Sequence, residues 1–233
     1  NNNFRLIAKL SAGKVYTYTV AQYDSSKAPF VLEFNKTEKK DIKAVELVLY
    51  ALNKTEFEQT AKGTDGAIKA LLTNDNVLLF DEALNLVSDD ERIPVVKVCK
   101  EVQRIIEDNK KEAQINLAEK LRFLTLPEYG YYQNRIFMAA VAFALRPYID
   151  RMYTSGSGQR IDKTVMKDVI VSMFVYWDNS KKFNDKFIVR MSTEEERELT
   201  EKLNTVFGIS DKDGLLGTKW AIREAFQKKG KAP

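Results

Sequence analysis

The chain has 233 residues, 44% apolar and 30% charged, with 37 basic against 33 acidic side chains and a net charge of +4. That is enough for one large domain, or one with a small satellite, and it is too apolar for disorder. Histidine is missing and Cys99 is the only cysteine, which excludes Ser-His-Asp and Cys-His catalysis, His-ligated zinc, internal disulfides and CxxC redox pairs within this chain.

The first 35 residues read as mixed. "KVYTYTV" (Lys14 to Val20) alternates and is rich in β-branched and aromatic residues, which predicts a strand. "APFVLEF" (Ala28 to Phe34) is its candidate antiparallel partner. Next, Thr37 can cap a helix in which Ile42, Val45, Val48, Leu49 and Leu52 share one face. "TEFE" (Thr55 to Glu58) has capping-box spacing, Gly63 offers a stop, and "TDGAIKALL" predicts a short helix.

From Val95 the helical stripe lengthens through Val98, Val102 and Ile105, then resumes at Ala113, Leu117, Leu121 and Leu124. Unbroken, that helix would run about 45 Å at 1.5 Å per residue. The polar "EDNKKE" in its middle is a candidate break, and its charges read as a solvated face. Arg135 to Tyr153 is apolar nearly all round, which predicts a central buried helix kinked or stopped at Pro147. "TSGSGQR" (Thr154 to Arg160) reads as a flexible connection. "DKTVMKDVIVSMFVYW" predicts a second apolar helix capped by Asp162, and "KFIVRM" a short strand or extended lead-in. Ser192 or Thr193 can cap "STEEERELTEKLNTVFG", with Gly208 closing it. A last helix carries Trp220, Ile222 and Phe226. The fold expected is mainly α, a multi-helix bundle with a small N-terminal β-hairpin, with α+β as the alternative. It divides into a mixed region 1–94 and a helical region 95–233, or forms one continuous domain.

Several chemical motifs fail on inspection. A phosphate loop at Gly13-Lys14 needs a glycine at position 8 and Ser or Thr at position 15, where Ala8 and Val15 stand. Val77 to Phe80 followed by Asp81-Glu82 has the form of the magnesium-binding strand end of nucleotide hydrolases. Without a phosphate loop, a helix start near Asp81 is the favoured reading, and Asp81 and Glu82 remain the only metal alternative. "GSGQR" (Gly156 to Arg160) has the donors of an anion cradle, although spacers between helices look alike. Cys99 lies on an apolar stripe and reads as packing.

"LPEYGYYQNR" (Leu126 to Arg135) is the candidate binding element. Pro127 and Gly130 define a bend, and Asn134 can cap the following helix. Tyr129, Tyr131 and Tyr132 could stack on bases, sugars or peptide side chains, with Arg135, Arg122 and Arg146 nearby to grip phosphate or carboxylate. Residue types alone favour a packing turn, with the tyrosines wedged between helices.

The block from "YGYYQNRIFMAAVAFALRPYIDRMY" through "MKDVIVSMFVYW" and "STEEERELTEKLNTVFG" to "WAIREAFQKKGKAP" resembles a region of very large bacterial proteins with phosphate-loop NTPase domains. These belong to phage-defence systems of the BREX type and related uncharacterised families. In them a "YGYY-x-N" turn opens a buried helix, and a "WAIRE" helix leads into a Pro-Leu-Trp segment, where this chain stops at Pro233. The resemblance covers about the last hundred residues and is motif-like rather than catalytic. It implies a bacterial, intracellular (cytoplasmic) protein and a helical region that accompanies an ATPase. No catalytic residue carries over, and no cofactor is implied.

Together these readings predict a non-catalytic accessory region, cut from a longer protein. Its expected partners are other domains of the same polypeptide or partner subunits. The nearly balanced charge admits nucleic acid without favouring it. The longest apolar run, Ile136 to Leu145, is roughly half of what a bilayer demands, so no membrane partner is expected.

Overall fold

The computed structural model describes residues 39–64, 66–74, 77–126, 129–131, 134–156, 158–178, 185–209 and 214–229. The expected hairpin of Lys14 to Phe34 and the Thr37 cap lie outside them. Within them the fold is mainly α with small antiparallel sheets. Helices α1 (Lys39–Tyr50), α2 (Lys54–Thr64) and α3 (Gly66–Lys69) come first, followed by the short antiparallel strands β1 (Thr73–Asn74) and β2 (Val77–Leu78). Then come α4 (Pro94–Asn109), β3 (Ile115–Asn116), α5 (Leu117–Lys120), α6 (Arg135–Leu145), β4 (Met152–Thr154), α7 (Lys163–Asp178) and β5 (Ile188–Met191). The pair α8 (Glu194–Phe207) and α9 (Gly214–Lys229) closes the chain. Strand β5 lies between β3 and β4, antiparallel to both.

The organising element is α6. All ten residues from Ile136 to Leu145 are buried, so other elements must cover this helix on every side. Four alanines (Ala139, Ala140, Ala142 and Ala144) sit among those buried residues. Their small side chains allow α1 and α4 to approach closely, and these are the helices that α6 touches most. Larger neighbours fill the remaining space. Phe143 stacks on Phe80 at 4.5 Å and meets Phe57 edge-on at 5.5 Å. Phe137 contacts Phe174 and Trp177 of α7. Burying such rings contributes most of the favourable free energy of a core. The cluster of buried side chains runs from Ala44 to Val189 and draws on both sides of the 94/95 boundary.

Helix ends follow local chemistry. Asn134 accepts from the amides of Ile136 and Phe137, both at 2.9 Å. Asp162 does the same for Thr164 and Val165 at 2.8 Å. Thr193 and Glu196 form a reciprocal capping box, and Gly208 ends α8 at φ +61°, a left-handed conformation that costs glycine little. Pro147 stands in a 3-10 turn, Arg146–Tyr148, directly after α6.

Of the two readings of the stripe beginning at Val95, the break holds: the helix ends at Asn109, because "EDNKKE" offers no apolar residue to the core and Asn116 starts a new helix by capping Glu119 at 3.2 Å. Four expectations are corrected. The cap of α2 is Asn53, which accepts from Glu56 at 2.8 Å. Thr55 instead donates to Glu82. Leu52 lies beyond the end of α1 and is exposed. Tyr153 belongs to strand β4 and not to the helix before Pro147. Thr154 to Arg160 is no loose connection: Thr154 donates to the Gln159 carbonyl and Gly158 to that of Thr154, both at 2.9 Å.

A half-buried cation locks the centre. The Arg146 guanidinium donates to the carbonyls of Val48 (2.6 Å), Leu49 (3.3 Å) and Ala51 (2.8 Å). These carbonyls belong to the C-terminal end of α1, where intrahelical partners run out and positive charge is favoured. Burial pulls the Arg146 pKa below its ordinary value. Arg146→Ala strands these acceptors and is expected to cost about 2–4 kcal/mol of stability in urea denaturation. Arg146→Lys recovers only part of it, because an ammonium cannot span the fork.

Candidate functional site

The Leu126 to Arg135 connection is drawn inward. Gly130 takes φ +58° and its amide donates to the Leu126 carbonyl at 2.7 Å, while Tyr131 donates to Leu124 at 2.9 Å. Tyr131 is buried, its ring stacked on Phe137 at 5.1 Å and its hydroxyl donating to the Pro94 carbonyl at 3.2 Å. Tyr129 is half-buried against the edge of Phe123 and donates to Glu101 at 2.8 Å. Asn134 caps α6, and Arg135 is half-buried at its first position. Tyr132 lies outside the described residues. Arg122 is exposed, whereas Arg146 is committed to α1. The side chains of Tyr129, Tyr131 and Asn134 thus join the turn to α4 and α6.

Glu101 is the hub of that junction. It is a buried carboxylate on α4 that accepts from Tyr129 and Arg104 and pairs with Lys97 at 3.2 Å. Burial by itself would raise its pKa, but the hydrogen bonds from Arg104, Tyr129 and Lys97 outweigh it and leave the pKa below the ordinary value. Lys97 is raised, chiefly by Glu91. Tyr129 is raised by its own burial and by Glu101.

Asp81 and Glu82 do not begin a helix. Asp81 accepts from the Asn85 amide at 2.8 Å and closes a turn in which buried Leu84 is held at φ +63°. Such a backbone is costly for leucine and is maintained by core packing. Glu82 accepts from the Thr55 hydroxyl at 2.8 Å and amide at 3.2 Å, which lowers its pKa. Asp81 therefore closes the turn after β2, and Glu82 holds that turn against α2. Among the described residues no group of three or more acidic or cysteine side chains could hold a metal ion.

The loop from Thr154 to Arg160 brings Gly156 near an acid. A Cβ added at Gly156 would stand 2.9 Å from Asp185 Oδ2, so a carboxylate already adjoins the expected anion cradle. Cys99 is buried with its Sγ 4.0 Å from the Ala140 carbonyl, and burial pushes its thiol up to about 12. That thiol is inert at neutral pH.

The surface least explained by packing is the α8–α9 pair, which sequence reasoning missed. Leu199 is 57% exposed, Val206 77%, Trp220 56% and Phe226 65%, while Thr200, Asn204 and Thr218 are buried. Thr218 donates to Asn204 at 2.6 Å. The pair hides polar groups and shows apolar ones. Leu199, Leu203 and Val206 follow helical spacing and read as an ordinary core stripe. The usable signal was Thr200 and Asn204 one turn apart, a polar alternative seam.

The Glu101 junction makes a pH prediction. A carboxylate whose folded pKa is depressed stabilises fully above its unfolded value, here 4.5, and loses that stabilisation as pH falls through the lower folded value. Glu101→Gln should lower stability at pH 7 and flatten the acid limb of the stability profile, measured by thermal unfolding from neutral pH downward. An unchanged slope would remove Glu101 from this role.

No protein-family model, curated protein or solved structure matches this chain, so its resemblance to phage-defence NTPase proteins rests on the motifs alone.

Proposed function

We propose that this chain is a non-catalytic helical accessory region that acts by docking protein surfaces. Those surfaces belong to other domains of its own polypeptide or to partner subunits of a larger NTPase-containing bacterial protein. The supporting observation is the exposed set of Leu199, Val206, Trp220 and Phe226 on α8 and α9. Exposed apolar groups gathered on one element mark interaction sites, and tryptophan is enriched among residues that dominate binding. The NTPase context is supported by the motif resemblance alone. Nucleic acid is the weaker partner, since five glutamates lie along α8 and would repel a phosphate backbone. Among the described residues no helix is long and apolar enough to cross a membrane.

Photo-crosslinking in cells tests the docking. A photoreactive residue replacing Trp220 should yield protein adducts, whereas one replacing exposed Lys43 on α1 should not. Equal adducts at both positions, or adducts to nucleic acid alone, would overturn the reading. Calorimetry with ATP and magnesium separates it from an enzyme. The chain and its Asp81→Asn variant should give the same negligible heats, and a magnesium-dependent heat lost in the variant would establish a nucleotide site instead.

A further inference from the structure

The outward faces of α8 and α9 are complementary to each other. Helix α8 exposes Glu194, Glu195, Glu198 and Glu201 against Lys202, while α9 exposes Lys219, Arg223 and Lys228 against Glu224. An open depression of about 420 Å³ is lined by Glu198, Glu201, Lys202, Thr205 and Val206 of α8. Its wall is largely apolar, and its rim carries Glu198 and Glu201 against one lysine, Lys202, which pairs with Glu198 at 3.6 Å. On α9, Arg223 lies 5.6 Å from the centroid of the exposed Trp220 ring, a cation–π pair, with Lys219 also exposed. An aromatic ring backed by positive charge has the chemistry that such a depression accepts.

The two helices form one hairpin: α8 and α9 pack together, with Asn204 near the end of α8 bonded to Thr218 near the start of α9. The acidic depression and the basic Trp220 knob therefore belong to one surface element, and each chain carries both halves. We propose that the occupant of this face is a second copy of the chain, with α8 of each protomer seated against α9 of the other. This inference rests on the docking reading above and names its partner. A two-fold axis lets each patch satisfy its counterpart reciprocally and closes the assembly at two chains. The product is a four-helix arrangement that buries the exposed leucine, valine, tryptophan and phenylalanine. Glutamates face lysine and arginine across it, and this opposition sets the pairing.

The test is a charge swap in the full chain, read by light scattering coupled to size exclusion at tens of micromolar. The unaltered chain should elute at twice its mass of 26.7 kDa. Glu198→Lys with Glu201→Lys places positive charge on both helices and should yield monomer. Lys219→Glu with Arg223→Glu places negative charge on both and should do the same. Mixing the two variants restores opposite charges at both contacts, and the dimer should return. All four substitutions are at exposed positions, and circular dichroism checks that the helices persist. Should either charge variant fail to fold, Val206→Glu is read in its place, monomer supporting the contact and dimer overturning it.

A monomeric unaltered chain, variants that remain dimeric, or a mixture that stays monomeric would each overturn the proposal. A monomer that still crosslinks from position 220 to another protein leaves the docking reading standing while refuting self-association. Retention of a labelled DNA or RNA duplex by the unaltered monomer, lost in the Lys219→Glu/Arg223→Glu variant, would refute both.

Discussion

A helix with no polar face cannot be satisfied by a single neighbour. The ten buried residues of α6 require cover on all sides, and the order of the surrounding elements follows from that demand. Helices α1 and α4 flank it where alanines permit close approach, and Phe57, Phe80, Phe174 and Trp177 close the gaps that alanine leaves. Removing α6 would expose the inner faces of most other elements at once. Its stability and theirs are therefore one quantity.

Around this apolar centre a small set of polar side chains fixes the geometry. Arg146 ties the end of α1 to the end of α6, and the Trp177 indole donates to the Ala118 carbonyl at 2.7 Å, pinning α7 to α5. Glu101 gathers Tyr129, Lys97 and Arg104, so the tyrosine turn is anchored to α4. Each of these bonds satisfies a group that would otherwise be buried without a partner, which is costly. Polar groups here decide where helices sit, while apolar burial decides that they pack at all.

The C-terminal pair inverts the pattern. Between α8 and α9 the buried contacts include Thr200, Asn204 and Thr218, and large apolar groups point outward. Among the described residues, Arg190 joins β5 to α8 by pairing with Glu196 at 3.1 Å. A hairpin built this way contributes little to the main core and leaves area for a partner. The opposite charges of its two helices make another copy of the same hairpin a suitable one.

Much of this was legible in the residues themselves. The buried α6, the caps at Asn134, Asp162 and Thr193, the stop at Gly208 and the end of α6 before Pro147 all depend on a few neighbouring side chains and the backbone they touch. So does the mainly α class, which periodicity carries directly. What escaped were choices between equivalent local options: Asn53 over Thr55 as a cap, a turn instead of a helix at Asp81, a tight loop at Thr154 to Arg160. The first turned on a partner distant in the chain, Thr55 on Glu82, whereas the other two closed through near neighbours, Asp81 on Asn85 and Thr154 on Gln159, by bonds that residue types alone do not select. The stripe of Leu199, Leu203 and Val206 escaped for a tertiary reason. Periodicity states that a helix has an apolar side, but only the tertiary arrangement decides whether that side meets the core or solvent, because burial depends on what else fills the space.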